Sequence, residues 1–442
     1  MEQNYSAMVT APHSNTGKTI FTLLLGRALK KYGYYVKGFK VGPDYIDQGV
    51  LSRVIEDKVY NLDTILMKRE DLDFIYHLSK GFRLIEGVMG FFDGVDLSFT
   101  GSSYEVAKKF KTNLIYLIDY EPSLTYYMTV IKGVEQFLKG DVRIGVVLNR
   151  IKNEEIIKKI EGYLNSYTNA KLIGFLPENE MFDIKNRHLG LYTGLEIDLA
   201  KIDKATDKFL EYIDIEKIVE FANDENFYNN NIINNKKSDK KGFTKRCYIA
   251  YDRAFNFYYQ NNIDKIIEAG YEIVRFSPLA DEPVIDADLI YIGGGYPELY
   301  AKTLERNENT KGSIIEHFQK GFPIFCECGG LIYAGRKLYI DGKGYKMLNI
   351  FDIDFEFTGK LVSLGYFDGV TLKDSLFFGK GESIRGHQFR YSKIIESRDQ
   401  PILQLKKIST SAVTTDGYLR NNCFGSYTHF NFSTFDILKQ LG

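Results

Sequence analysis

Ala11-Pro-His-Ser-Asn-Thr-Gly-Lys-Thr19 is the stretch on which the fold turns. The apolar run Ala7-Met8-Val9-Thr10 precedes it and reads as a short buried strand. Ile20 to Lys31 follows, with apolar residues at 20, 21, 23, 24, 25, 28 and 29 and Gly33 as a stop, which predicts a helix. Strand, loop and helix form the frame of a phosphate-binding loop, because backbone N–H groups at the helix start face the anion. Gly17, Lys18 and Thr19 are the phosphate-binding candidates: Lys18 reaches the outer phosphates and Thr19 ligates magnesium. Pro12 stands where the usual motif has its first Gly. The competing reading is a chance Gly-Lys-Thr at a helix start, and the strand–helix frame argues against it.

Outward from the loop, Tyr35 to Lys40 reads as a strand ending in Lys40-Val-Gly-Pro-Asp44-Tyr-Ile-Asp47. Polar groups at the carboxyl ends of such strands lie where α/β sheets bind ligands. There Lys40 would meet a phosphate and Asp44 would help hold the metal; an ordinary Gly-Pro-Asp turn is the alternative. Asn61-Leu-Asp63-Thr reads as a short polar loop. Phe82 to Glu86 is a buried strand ending in a carboxylate, and Gly87 to Gly94 follows as a glycine-rich loop containing Asp93. Glu86 would face magnesium across the site from Thr19. A helix over 102–109 and strands at 114–119 and 143–149 come next, with the Asn149 amide placed to read adenine. A charged helical pattern over 151–169 and a strand at 172–177 complete a mostly parallel, doubly wound sheet. His188, beside Arg187, reads as structural.

A chain of 442 residues implies two or three domains, and 44% hydrophobic residues support real cores. The net charge of −1 argues against a nucleic-acid binder. No apolar run approaches the roughly 18 residues of a membrane span, and Met1 to Ser6 is polar, unlike a secretory signal. The four cysteines are too few and scattered for a disulfide framework. The expectation is a soluble cytoplasmic enzyme.

Residues 223–246 break the rhythm with Asn229-Asn-Asn-Ile-Ile-Asn-Asn and Lys236-Lys-Ser-Asp-Lys-Lys, a solvated linker between domains. A second α/β unit begins at Cys247, with strands at 248–251, 271–276 and 289–292 and helices at 263–269 and 313–320. Phe322-Pro-Ile-Phe-Cys326-Glu-Cys328-Gly-Gly330 sets Cys328 at a tight turn between strand and helix, where backbone N–H groups surround the thiol. Three readings compete. A metal site lacks a second cysteine pair, a buried structural thiol is the bland case, and a nucleophile needs a distant base, His429 or His387. The following glycines favour the nucleophile by leaving room for substrate. Cys326 lies within the apolar run, so Cys328 is preferred.

In order, the chain carries FKVGPDYID, NLDT, EGVMGFFDG, VLNR and RHLGL, then AFNFYY, GGGYPEL, ECGGLIY, GHQFRYS and GSYTHFNF. This set resembles the cobyrinic acid a,c-diamide synthases of the cobyrinate/cobyrate glutamine amidotransferase family, over nearly the whole chain. The resemblance implies an α/β architecture: a P-loop, dethiobiotin-synthetase-like parallel-sheet domain over 1–222, a linker over 223–246, and a class I glutamine amidotransferase-like α/β domain over 247–442. It implies ATP- and glutamine-dependent amidation of the a and c acetates of cobyrinate, a corrinoid of cobalamin biosynthesis, with Mg2+. Ammonia would come from a cysteine glutaminase and an acyl phosphate would accept it. No nucleic acid or membrane partner is implied, and a homodimer is allowed. Carried over, Asp44, Tyr45, Asp47 and Asp93 meet substrate, Thr19, Asp44 and Glu86 hold metal, and Lys18 and Thr19 fall on the phosphate loop, where Gly17, Lys40 and Asn149 complete the ATP site read from the residues above. Cys328 is the nucleophile, His429 its partner, and Gly294 and Gly295 form an oxyanion loop.

Three departures stand out. Cys326 replaces the first Gly of G-x-C-x-G, Asn431 stands where most class I glutaminases have the Glu of His-x-Glu, and Gln388 and Arg390 replace a common Glu and His. The alternative within the class is Ni-sirohydrochlorin a,c-diamide synthase of coenzyme F430 biosynthesis. From another class comes the partitioning-type P-loop ATPase switch, which has no need of ECGG and a distant His.

Overall fold

The computed structural model describes residues 4–78, 81–121, 123–182, 194–223 and 243–441. Two compact units result. The first uses the chain up to Ile65 and on from Arg69; the second takes Leu66–Lys68 and the C-terminal half. His188 and most of the expected linker lie outside the described residues.

In the first unit seven strands form one sheet in the order β3-β2-β4-β1-β5-β6-β7. These are β1 (Tyr5–Thr10), β2 (Val36–Val41), β3 (Val59–Leu62), β4 (Phe82–Glu86), β5 (Asn113–Asp119), β6 (Ile144–Ile151) and β7 (Lys171–Pro177). Every pairing is parallel. Strands covered on both faces read as continuous apolar runs, and Ala7, Met8 and Val9 are wholly buried. Helix α1 (Lys18–Lys31) packs Phe21, Leu24, Leu25 and Ala28 into the same core as β1. β1 occupies the centre of the sheet, so its carboxyl end presents the phosphate loop flanked by the ends of β4 and β5. The NLDT stretch differs from expectation: Asn61 and Leu62 belong to edge strand β3, whose four residues are too few to show a period.

The second unit has a ten-stranded sheet. Its parallel part is β8 (Lys245–Ala250), β9 (Tyr271–Phe276), β10 (Leu289–Ile292) and β11 (Ile324–Glu327), in the order β9-β8-β10-β11. Cys423–Ser426 pairs parallel to β11. From there the sheet turns antiparallel through Val413–Arg420, Pro401–Lys407, Ser363–Thr371 and Ser383–Arg390, ending on His429–Phe430. That path matters for chemistry. The chain leaves β11 at Cys328, and the excursion returns His429 to the same end of the sheet.

Candidate active site

Chemistry-bearing side chains gather at two places, one in each unit. In the first, Gly17 adopts φ +88°, a left-handed conformation that favours glycine. The loop is braced from within and from β6: Thr16 Oγ1 donates to His13 O at 3.0 Å, Lys18 Nζ to His13 O at 2.9 Å, and Asn149 Nδ2 to Thr16 O at 2.8 Å. Asn149, expected to read adenine, therefore uses its amide nitrogen to hold the loop. Thr19 Oγ1 donates to Glu86 Oε1 at 2.6 Å and to Asp47 Oδ2 at 3.3 Å.

Lys40 is surrounded by carboxylates. Its ammonium lies 2.7 Å from Asp47, 2.9 Å from Glu86 and 3.9 Å from Asp44, so it is engaged by carboxylates rather than turned to a phosphate. The reason is electrostatic: buried carboxylates are costly unless a cation faces them. Burial raises the Glu86 carboxyl to about 7 against the pull of Lys40, and raises Asp44 to about 6. At Asp47 burial is outweighed by the Lys40 ammonium, and its pKa falls. Burial, helped by the Lys40 charge, lowers Lys18 to about 8.

Asp44 also holds the backbone that follows it. Its Oδ1 accepts from Ile46 N at 2.8 Å and Asp47 N at 3.0 Å, capping helix α2 (Ile46–Ile55). Of the two aspartates, Asp47 is the one that reaches Thr19. Tyr45, expected at substrate, is buried, and Asp93 accepts from Gly90 N at 2.8 Å and shapes the glycine loop. Thr19, Asp47 and Glu86 supply only oxygen donors, and Glu86 Oε2 is buried without a hydrogen bond among the described residues. That set fits magnesium, a hard cation usually held by one or two carboxylates plus substrate phosphates. Among the described residues no cluster of three His, Cys, Asp or Glu makes a metal site by itself.

In the second unit Cys328 has φ +48° and ψ −99°, a strained turn between β11 and the helix Gly329–Ala334. Cys328 N donates to Ser426 O at 2.7 Å, tying the elbow to the neighbouring strand, and Sγ lies 4.0 Å from Phe389 O. Cys326 is wholly buried in the core. The glycines after Cys328 have a reason beyond substrate access: a Cβ on Gly330 would clash with Ile292 O, and one on Gly329 would stand 3.0 Å from Gly295 N. Gly294 is required as well, because a Cβ there would strike His429 Cε1.

His429 and His387 face each other across adjacent strands. Burial and then the charge of His429 drive His387 down to about 3, so it stays neutral. At His429 the neighbouring Cys328 and Glu327 side chains outweigh burial, and its pKa rises to about 9. Glu327 went unassigned in the sequence, although a carboxylate inside an apolar strand run demands a partner. Gln388 is buried and donates to Asp416 Oδ2 at 3.1 Å and Thr428 Oγ1 at 3.0 Å. Asp416 in turn accepts from Ser426 Oγ, Tyr427 N and Thr428 N, which shapes the loop before His429. The Arg390 guanidinium lies 4.2 Å over the Tyr427 ring. Both departures from the family pattern thus sit inside the second unit, bracing this loop.

Together the fold and these sites define a glutamine-hydrolysing carbon–nitrogen ligase with a P-loop nucleotide-binding unit. Residues 7–191 match the CobQ/CobB/MinD/ParA nucleotide binding domain, and residues 246–437 match the CobB/CobQ-like glutamine amidotransferase domain. The chain is 35% identical to the cobyrinate a,c-diamide synthase of Listeria innocua, over 96% of each chain. It is 36% identical to the protein of that name from Saccharolobus solfataricus, over 97% of this chain and 98% of the relative. The chain belongs to the cobyrinate a,c-diamide synthase family. A partitioning switch shares the first domain, whereas the glutaminase domain marks this chain as a ligase. No helix among the described residues is long and apolar enough to cross a membrane.

Proposed function

We propose that the chain amidates the a and c acetate side chains of cobyrinate, consuming ATP and L-glutamine. Similarity along the full length, to relatives of that name at 35% identity over 96% of the chain, carries the reading. The nucleotide unit, residues 1–222, would activate the carboxylate, and residues 247–442 would release ammonia.

A carboxylate is a poor acyl donor because its oxygen leaves badly. Attack of the acetate oxygen on the γ-phosphorus gives an acyl phosphate and ADP. Lys18 would stabilise the transferring phosphoryl group, while Thr19, Asp47 and Glu86 would hold magnesium. When bound, magnesium neutralises charge developing on the phosphates. Lys40 bridges Asp47 and Glu86 and pulls both toward the ionised form that the metal needs.

In the glutaminase unit the Cys328 thiolate attacks the amide carbon of glutamine. Backbone N–H groups of the Gly294–Gly295 loop would receive the oxyanion. His429 gives its proton to the leaving nitrogen, releasing ammonia and a thioester. Water hydrolyses the thioester to glutamate and restores the thiol–imidazole pair. Ammonia then attacks the acyl phosphate carbonyl, phosphate leaves with the bonding electrons, and a proton is lost. The cycle runs twice per corrinoid.

Cys328→Ala tests the division of labour: glutamine-dependent amidation should vanish while synthesis from ammonium salts continues. Equal loss of both, or a larger effect from Cys326→Ala, would refute it.

A further inference from the structure

Asn431 occupies the position of the usual third triad residue, yet its side chain serves another purpose. Its Oδ1 accepts from Ser433 N and from Asn261 Nδ2, both at 2.9 Å, holding the C-terminal turn. A carboxylate approaches His429 from another strand instead. Glu327 ends β11, immediately before Cys328, and its Oε2 lies 3.7 Å from His429 Nδ1.

We infer that Glu327 is a positioning residue for His429, replacing the carboxylate that His-x-Glu would supply from the histidine's own strand. The inference rests on Cys328 and His429 forming the glutaminase pair. Glu327 is itself held at both oxygens: Oε1 accepts from Phe430 N at 2.8 Å and Oε2 from Tyr291 OH at 2.6 Å. The first bond joins it to the residue after His429, so carboxylate and imidazole are carried as one piece. Glu327 is 1% exposed and His429 2%, and in so dry a place an opposite charge is felt strongly.

The groups around the imidazole fall into two kinds. Cys328 and Glu327 come from the β11 end and stabilise its cation; His387, on Ser383–Arg390, is neutral and supplies no counter-charge. Tyr258 and Tyr291 flank Glu327 with protonated phenols, their pKa values raised by burial. A bracing role for the Phe430 N–H alone would be met equally well by a glutamine side chain. The facing imidazole is what calls for a charge. With Glu327 in place His429 stays protonated and aimed, ready to protonate the departing nitrogen.

The test compares Glu327→Gln and Tyr291→Phe in the full chain, reading glutaminase kcat and KM against pH. The His429 imidazole is followed in parallel by NMR of 13C-labelled histidine, assigned with His429→Ala among the six histidines. Glu327→Gln should lower kcat by on the order of 10²-fold with little change in KM, and move the alkaline limb and the His429 titration toward lower pH. Tyr291→Phe removes a hydrogen bond that spreads the carboxylate's charge, so it should move both toward higher pH. A role confined to bracing would leave the titration where it is, or shift it the same way in both variants, and either result overturns the inference. If Glu327→Gln does not fold, Tyr291→Phe decides alone: a higher limb supports the assignment and an unchanged or lower one refutes it. Glutaminase activity surviving in Cys328→Ala would remove the underlying site reading instead.

Discussion

Thr19 Oγ1 donates a 2.6 Å hydrogen bond to Glu86 Oε1, joining the first turn of α1 to the end of β4 across 67 residues of chain. The contact exists because β1 and β4 are parallel neighbours, so the loop leaving one strand and the carboxylate ending the other meet at one edge of the sheet. It places a hydroxyl and a carboxylate where a nucleotide-borne cation would be shared.

Thr19→Val should lower ATP-dependent phosphoryl transfer steeply, and Lys18→Ala by on the order of 10³-fold, because positioned charge supplies most of this catalysis. Glutamine hydrolysis in the second unit should persist at a basal level in both. Phosphate release assays check the first statement and glutamate formation the second. ATP turnover unchanged in Lys18→Ala would contradict the role given to the loop.

Lys40→Met leaves Asp44, Asp47 and Glu86 buried without their cation, at an expected cost of about 3–5 kcal/mol. The sign with pH follows from Glu86, whose folded value of about 7 exceeds the ordinary 4.5 of a glutamate. A carboxyl raised in the folded state contributes stability below its unfolded pKa and loses it as pH rises through the folded one. Without Lys40 that penalty grows, so the variant should be closest to wild type near pH 5 and furthest above pH ~7. Thermal melts across this range would reveal it, and a deficit that shrinks as pH rises would be the wrong sign.

Gly294→Ala puts a methyl group against His429 Cε1. Displacing the imidazole by about 1 Å should cost on the order of 10²-fold in glutaminase kcat. Amidation from ammonium salts should be unaffected. Full glutaminase activity in this variant would mean that His429 does not need the position described.

Gln388→Glu reinstates the residue common in the family and sets a second carboxyl 3.1 Å from Asp416, where the Gln388 amide now donates. Two buried carboxyls at that distance share a proton, so the variant should lose stability as pH rises. Melting temperatures at pH ~6 and ~9 should diverge by more than those of wild type.

Much of this was legible in the chain. The phosphate loop was readable because an apolar run, a Gly-Lys-Thr and a helical period lie in succession, and all three are local signals. Cys328 was readable for the same reason, as a polar residue at the end of a buried run. Long-range pairing was not. That Lys40 belongs to Asp47 and Glu86 depends on β2 and β4 being neighbours in register. That Glu327 reaches His429 depends on the sheet returning the chain after roughly a hundred residues, and a motif built on His-x-Glu looks in the wrong place for the carboxylate. Gln388 and Arg390 stand out as departures, yet only the packing reveals that they brace the loop before His429.

Mass spectrometry of the products, with cobyrinate and Ni-sirohydrochlorin offered side by side with ATP, magnesium and glutamine, tests the central claim most directly. Cobyrinate should gain two amides and stop, with Ni-sirohydrochlorin left largely unchanged. Preferential diamidation of Ni-sirohydrochlorin, or four further amides on the corrinoid, would contradict it.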